Sequence, residues 1–110
     1  MTLPTLHRRH LSVLLLASAA AWGAHAQERF PAKPITIVVP QAAGGANDAI
    51  ARVLGQKLSQ QLGQSVVIDN RPGAGGNVGT AYVAKAKPDG YTLLVQADSA
   101  QVINPWLYKS

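Results

Sequence analysis

From residue 35 onward the chain alternates between short β-branched runs and longer stretches in which apolar residues recur at helical spacing. Ile35-Thr36-Ile37-Val38-Val39 is almost continuously apolar, as expected of a strand covered on both faces, and Pro40 ends it. Gln41 to Ala46 is a loop of small residues, after which Asn47 or Asp48 is expected to cap a helix. Ile50, Leu54, Leu58 and Leu62 recur every fourth residue and predict one apolar stripe, with Arg52, Lys57, Gln60 and Gln61 lying off it. Gly63 stands where a left-handed residue closes a helix.

The pattern then repeats. Ser65 to Asp69 predicts a second strand, Asn70 to Gly76 a second glycine-rich loop, and Asn77 a cap. Val78 to Lys85 predicts a shorter helix with Val78, Ala81 and Tyr82 on one side. Pro88-Asp89-Gly90 is a strong turn signal, and Tyr91 to Val95 is a third strand running into Gln96-Ala97-Asp98-Ser99. A last segment holds Asn104-Pro105-Trp106-Leu107-Tyr108. Helical connections between successive strands imply a parallel sheet with right-handed crossovers. The expected class is α/β, with β-α-β-α-β order, the opening half of a doubly wound domain.

The first 26 residues do not belong to that pattern. His7-Arg8-Arg9-His10 is a basic flank, Leu11 to Ala21 an apolar core, and Ala24-His25-Ala26 a small-residue cleavage site. Together they read as a secretory signal peptide, residues 1–26, cleaved before Gln27. The apolar run is about half of the roughly 20 residues that span a bilayer, which argues against a permanent transmembrane helix. The Arg8-Arg9 pair leaves the export route, general or twin-arginine, open. Of 110 residues none is cysteine, which excludes a lipid anchor at the cleavage site, a disulfide framework and thiolate metal sites.

Removing the leader alters the charge picture. The whole chain has 10 Lys and Arg against 5 Asp and Glu; beyond residue 26 a modest basic excess remains, without a basic run and without interleaved aromatics. That is no nucleic-acid footprint, so nucleic acid is not expected as a partner. All three histidines, His7, His10 and His25, lie in the leader, so the mature chain lacks a Ser-His-Asp triad and histidine metal ligation. No metal or cofactor is expected.

In a parallel sheet ligands bind beyond the carboxyl ends of the strands, where the loops Gln41–Asn47, Asn70–Gly76 and Gln96–Ser99 would gather. The first two are rich in glycine and lead into helices, whose first N–H groups attract anions. A backbone-amide cradle for a carboxylate or phosphate is one reading; a simple tight turn at Gly44-Gly45 is the other. Nucleotide motifs fail on spacing: no phosphate-loop lysine follows either glycine pair, and Val78 stands where a dinucleotide fingerprint needs glycine. Arg71 offers an anion contact or a structural hydrogen bond, and Ser99 a hydroxyl for a carboxylate or a helix cap.

Five motifs in order carry a more specific message. Pro31-Ala32-Lys33-Pro34-Ile35 leads into Val38-Val39-Pro40 with Gly44-Gly45-x-Asn47-Asp48. Asn70-Arg71-Pro72-Gly73-Ala74-Gly75-Gly76-Asn77-x-Gly79, Pro88-Asp89-Gly90-Tyr91-Thr92-Leu93 and Asn104-Pro105-x-Leu107-Tyr108 follow. The succession resembles the Bug family, the extracytoplasmic solute receptors of tripartite tricarboxylate transporters, also called the TctC family. The resemblance covers essentially all of residues 28–110. It implies a periplasmic binding protein of the type II kind, with two α/β lobes, a small carboxylate in the cleft between them, and membrane transporter subunits as partners.

Carried onto this chain, the resemblance makes Gln41, Ala42, Ala43, Gly44, Gly45, Ala46 and Asn47 the loop that donates backbone N–H groups to a ligand carboxylate. Ala97, Asp98 and Ser99 are the next contributors. Family members often have aromatic or proline residues where this chain has Gln41-Ala42-Ala43, a difference that bears on which carboxylate is bound. They also run to roughly 300 mature residues, a two-lobed size. Residues 27–110 are therefore expected to be the N-terminal part of lobe 1, and the lobe incomplete. The competing readings are a small anion-binding α/β enzyme domain, which would need a nucleophile–base pair, and a truncated product without activity of its own.

Overall fold

The computed structural model describes residues 28–108; the signal peptide expected over residues 1–26, with cleavage before Gln27, lies outside the described residues. Three strands, β1 (Ile35–Val39), β2 (Val66–Asn70) and β3 (Thr92–Leu94), form one parallel sheet in the order β2-β1-β3. Helix α1 (Ala46–Leu62) joins β1 to β2 and α2 (Asn77–Ala84) joins β2 to β3, while the short α3 (Ser99–Val102) and α4 (Asn104–Leu107) follow. Among the described residues no helix is long and apolar enough to cross a membrane. The α/β class and the strand order along the chain are those the sequence predicts.

The central strand is the core. Ile35, Ile37, Val38 and Val39 are almost wholly enclosed. Register pairs Ile37 with Ile68 on one side and with Leu93 on the other, so β1 bonds to both neighbours. Bonds past the ladder ends extend it: Ile35 N–H donates to Ser65 O (3.0 Å), Arg71 N–H to Val39 O (2.8 Å) and Val95 N–H to Val38 O (3.0 Å). Ile37 and Val39 pack with Ala51 of α1, flanked by Leu58, Val66 and Ile68. Side chains alternate across a strand, so Val38 and Pro40 point to the other face, where Gly79 of α2 lies against Pro40.

Both helices meet the sheet on a different face from the one their apolar spacing predicts. In α1 the enclosed residues are Asp48, Ala51 and Gly55, whereas Ile50 is 58% and Leu54 41% exposed and only Leu58 of the expected stripe touches the core. With Val53 they form an open apolar groove rimmed by Lys57. The period is right and the phase is one residue off. A Cβ on Gly55 would lie 3.2 Å from both Ile68 Cδ1 and Val66 Cγ1, so the backbone of α1 rides close on β2 and leaves room there only for small residues. In α2 the buried residue is Gly79, while Val78, Ala81 and Tyr82 are all exposed.

The caps also differ from expectation. Neither Asn47 nor Asp48 caps α1; Gly45 does, in extended conformation and without a side-chain bond, and Gly76 rather than Asn77 precedes α2. Gly63 does close α1 in the left-handed region (φ 67°), its N–H returning to Ser59 O.

Gly55 and Gly79 differ in what confronts a new methyl group. At Gly79 it would lie 2.7 Å from Pro40 Cβ, 2.8 Å from Arg71 O and 2.9 Å from Pro40 Cα, atoms that cannot swing aside. Overpacking at the upper end of the usual range costs about 3 kcal/mol, against about 1 kcal/mol gained in helix propensity. Gly79→Ala is therefore expected to lose about 2 kcal/mol in urea unfolding. Gly55→Ala, which meets only side-chain ends, should change stability by less than about 1 kcal/mol. Equal losses at both positions would refute this account of the packing.

Candidate anion-binding edge of the sheet

Because the sheet is parallel with β1 between β2 and β3, the carboxyl ends of β1 and β3 lie side by side at one edge. The segment after β3 folds back onto the loop after β2, Ala100 lying beside Gly76 and Asn104 bonding Gly75 O. Residues 41–47 leave β1 and residues 97–99 leave β3, so the structure brings both sets of expected ligand residues to this one edge. They touch it differently. Ala42, Ala43, Gly44, Gly45 and Ala46 are exposed, Gln41, Asn47 and Ala97 half-buried, and Asp98 and Ser99 exposed. Asp98 precedes α3 and Ser99 is its first residue, without a side-chain cap bond, so Ser99 is not a cap.

The first loop is held by a carboxylate of the chain itself. Asp48, at the third position of α1 and 4% exposed, accepts the Gly44 N–H on Oδ2 (2.9 Å) and the Asn70 amide on Oδ1 (3.0 Å). Arg52, one turn on, donates Nε–H to the same Oδ2 at 2.9 Å. Asn70 also reaches the Gln41 carbonyl (3.2 Å), and Asn47 donates to Gln41 Oε1 (3.1 Å). The loop after β1 is thereby tied to the end of β2. The first intrahelical bond of α1 is Ala49 N–H to Gly45 O. The N–H groups of Ala46, Asn47 and Asp48 thus open a 17-residue helix with no acceptor inside it. They carry the positive end of its dipole.

The second glycine-rich loop serves packing. Gly73 O accepts from Gly76 (3.0 Å) and Val78 (3.5 Å), closing a tight turn with Gly75 and Gly76 at positive φ. Asn104 of α4, buried, donates to Gly75 O (2.9 Å) and Asn77 Oδ1 (2.8 Å), and Thr80 Oγ1 bonds Gly76 O (2.8 Å) and Gln96 Oε1 (2.7 Å). Arg71 takes the structural role: Nε–H donates to Asp69 at 2.7 Å and the guanidinium stacks on Tyr82, 3.6 Å from the ring centre. The Asp69 carboxylate beside it raises its pKa further. Sequence reasoning missed Asp48, Asn70, Gln96 and Asn104 as the ties between loops. The four-residue spacing of Asp48 and Arg52 was the one local signal that could have found any of them.

An open groove of about 510 Å³ lies at the amino-terminal end of the strands, among Lys33, Lys85, Lys87 and Tyr91, away from these loops. There Lys33 sits 4.6 Å over the Tyr91 ring and 3.9 Å from Asp89, an exposed pair worth little. Among the described residues no cluster of acidic or histidine side chains could hold a metal ion.

A parallel sheet of order β2-β1-β3 with a helix on each crossover defines the class of doubly wound α/β domains. Residues 50–110 match the family model described as tripartite tricarboxylate transporter family receptor, TctC. The chain belongs to that family. A UPF0065 protein from the TAR-I ttuE-ttuC' intergenic region of Agrobacterium vitis is 50% identical over 90 residues, covering 82% of this chain and 26% of that protein. A chain solved as a periplasmic transporter matches with a TM-score of 0.68 and 47% identity over 70% of this chain and 26% of its own length. R. palustris Rpa4515, solved with adipate, matches with a TM-score of 0.63 and 44% identity over 64% of this chain and 24% of its own. MatC (Rpa3494) from Rhodopseudomonas palustris, solved with bound malate, matches with a TM-score of 0.57 and 45% identity over 59% and 22%. The chain thus spans only about a quarter of the length of these proteins.

The hydrogen bonds on Asp48 have a consequence for acid stability. Arg52 first, then the Gly44 N–H and Asn70, hold its pKa at about 2, below the ordinary 3.8, against the opposing effect of burial. A carboxyl whose pKa is lower in the folded state stabilises the fold above its unfolded value and loses that contribution as pH falls towards the folded value. The melting temperature of the wild type should therefore drop more steeply between about pH 4 and pH 2 than that of Asp48→Asn, with the two curves converging at the acid end. Parallel curves would show that Asp48 is not held in this way.

Proposed function

We propose that the chain is the N-terminal part of a periplasmic receptor that binds small carboxylates and delivers them to the membrane subunits of a tripartite tricarboxylate transporter. Residues 1–26 address it for export, and residues 27–110 build the first part of lobe 1, one wall of the cleft. The observation that carries the reading is the bare start of α1 beside the exit of β3. Its weight comes from relatives of 44% and 45% identity that were solved with adipate and malate, both dicarboxylates. A ligand carboxylate would accept N–H groups from the stretch Gln41–Asn47. Gly44 already donates to Asp48, so the donors are the amides that open α1. Ala97, Asp98 and Ser99, which follow β3 at the same edge of the sheet, would contact the remainder of the ligand. Transport relatives and a described chain without histidine argue against the enzyme alternative.

One wall of a cleft supplies few contacts and little desolvation, so a dissociation constant of about 1 mM, or ~4 kcal/mol, is expected. Titrating the full chain with adipate, malate, citrate, glutamate and ATP by ligand-observed NMR checks this. Saturable binding of the carboxylates without ATP supports the proposal. Binding of ATP alone would make the loop a phosphate site, and binding of none would make the chain a product without receptor activity.

A further inference from the structure

Nothing in the packing holds the β1–α1 loop in place. Ala42 to Ala46 are all exposed, and Gly44, at φ 93°, has no atom within 4 Å of where a side chain would begin. A glycine so free visits many backbone states. What selects one of them is hydrogen bonding, and apart from the Ala49 N–H to Gly45 O bond that starts α1, every such bond among the described residues runs through Asp48 or Asn70 or between Asn47 and Gln41. We infer that Asp48 and Asn70 form a latch that positions the carboxylate-binding loop: an internal carboxylate holds Gly44 inward while Asn70 bridges it to the Gln41 carbonyl. This rests on the carboxylate reading above and assigns the side chains of these two residues a positioning role, with no side-chain contact to the ligand.

Three features separate a latch from a ligand-binding group. Both oxygens of Asp48 are already occupied, Oδ2 by Gly44 and Arg52 and Oδ1 by Asn70. The side chain is enclosed between α1 and the sheet, whereas the amides that open the helix lie beside an exposed loop. Finally, Arg52 sits on Asp48 at 2.9 Å and offsets its charge, so an incoming anion meets the helix dipole and not an uncompensated negative charge. Asn70 is the last residue of β2, so the latch refers the loop to the rigid sheet.

The test reads the latch and the ligand separately, in the full chain. Amide hydrogen exchange at Gly44 is measured without ligand, and malate affinity by NMR titration, in the wild type, Asp48→Asn, Asn70→Ala and Asp48→Glu. Loss of a charge-assisted bond should raise Gly44 exchange about ten-fold or more in Asp48→Asn. Malate should bind about ten-fold more weakly, while exchange in β1 stays as slow as before. Asn70→Ala keeps the Asp48–Arg52 pair and should move both readouts the same way by less, which also covers the case in which Asp48→Asn does not fold. Asp48→Glu, a favoured residue at this helix position, should recover part of both. Faster Gly44 exchange with unchanged malate affinity would overturn the positioning role, and unchanged Gly44 exchange in folded Asp48→Asn and Asn70→Ala would overturn the latch. A wild type that binds no carboxylate overturns the functional reading instead, and the Gly44 exchange then decides the latch alone.

Discussion

Ile37, Val38 and Val39 point alternately to opposite faces of the sheet, yet all three are completely enclosed, so β1 must be covered from both sides at once. That constraint sets the order β2-β1-β3, which places one right-handed crossover on each face. Helix α1 closes over Ile37 and Val39, and α2 comes down on the side of Val38 and Pro40. Each covering helix approaches through a glycine, Gly55 above β2 and Gly79 against Pro40, which lets its backbone ride close on the sheet. The same geometry brings the exits of β1 and β3 to neighbouring positions at the carboxyl edge of the sheet. That both exits lie next to each other at one edge of the sheet is therefore a consequence of how the central strand is buried.

The strands were legible almost to the residue. Ile35–Val39 combines β-branching with an unbroken apolar run, and proline ends it, so local preference and burial agree. The helices were legible in extent but not in orientation. Hydropathy gives weight to Ile50, Leu54, Val78 and Tyr82, which are large, whereas the faces that meet the sheet are chosen by closeness and consist of Ala51, Gly55 and Gly79. Only the distance between layers, a tertiary quantity, reveals that a small residue marks the buried side. The caps were misread for a related reason. Asn47 and Asp48 are good capping residues by type, but their side chains are engaged with Gln41, Gly44 and Asn70, and Gly45 starts the helix bare.

The two glycine-rich loops look alike as strings and do different work. In the second, Gly75 and Gly76 make a turn that Asn104 and Thr80 fasten from α4 and α2, and Gly79 lets that helix touch Pro40. Its Gly76 and Val78 amides donate to Gly73 O and its Asn77 amide to Ala74 O. In the first, a side chain begun at Gly44 would meet nothing within 4 Å and one at Gly45 only the Ala42 carbonyl at 3.7 Å, and the loop stays open to solvent. Composition cannot separate the cases, because glycine is required both where a backbone bends freely and where two backbones crowd. What separates them is which partners lie within reach once the sheet has formed.

A buried carboxylate at the edge that should attract anions looks contradictory until the charges are placed. Asp48 stands at the start of α1, where the dipole favours a negative group, and one turn later Arg52 returns a positive charge to the same oxygen. Together they are close to neutral as seen from the loop, so the field left over is that of the unfilled N–H groups of the helix. If Asp48 were instead an apolar residue, the Asn70 amide would lose one of its two acceptors and the Gly44 N–H its only one, while Arg52 would be left unpaired. The carboxylate therefore lets one helix start satisfy the loop inwardly and remain receptive outwardly, a division of donors that neither an uncharged residue nor a lone acid at that position achieves.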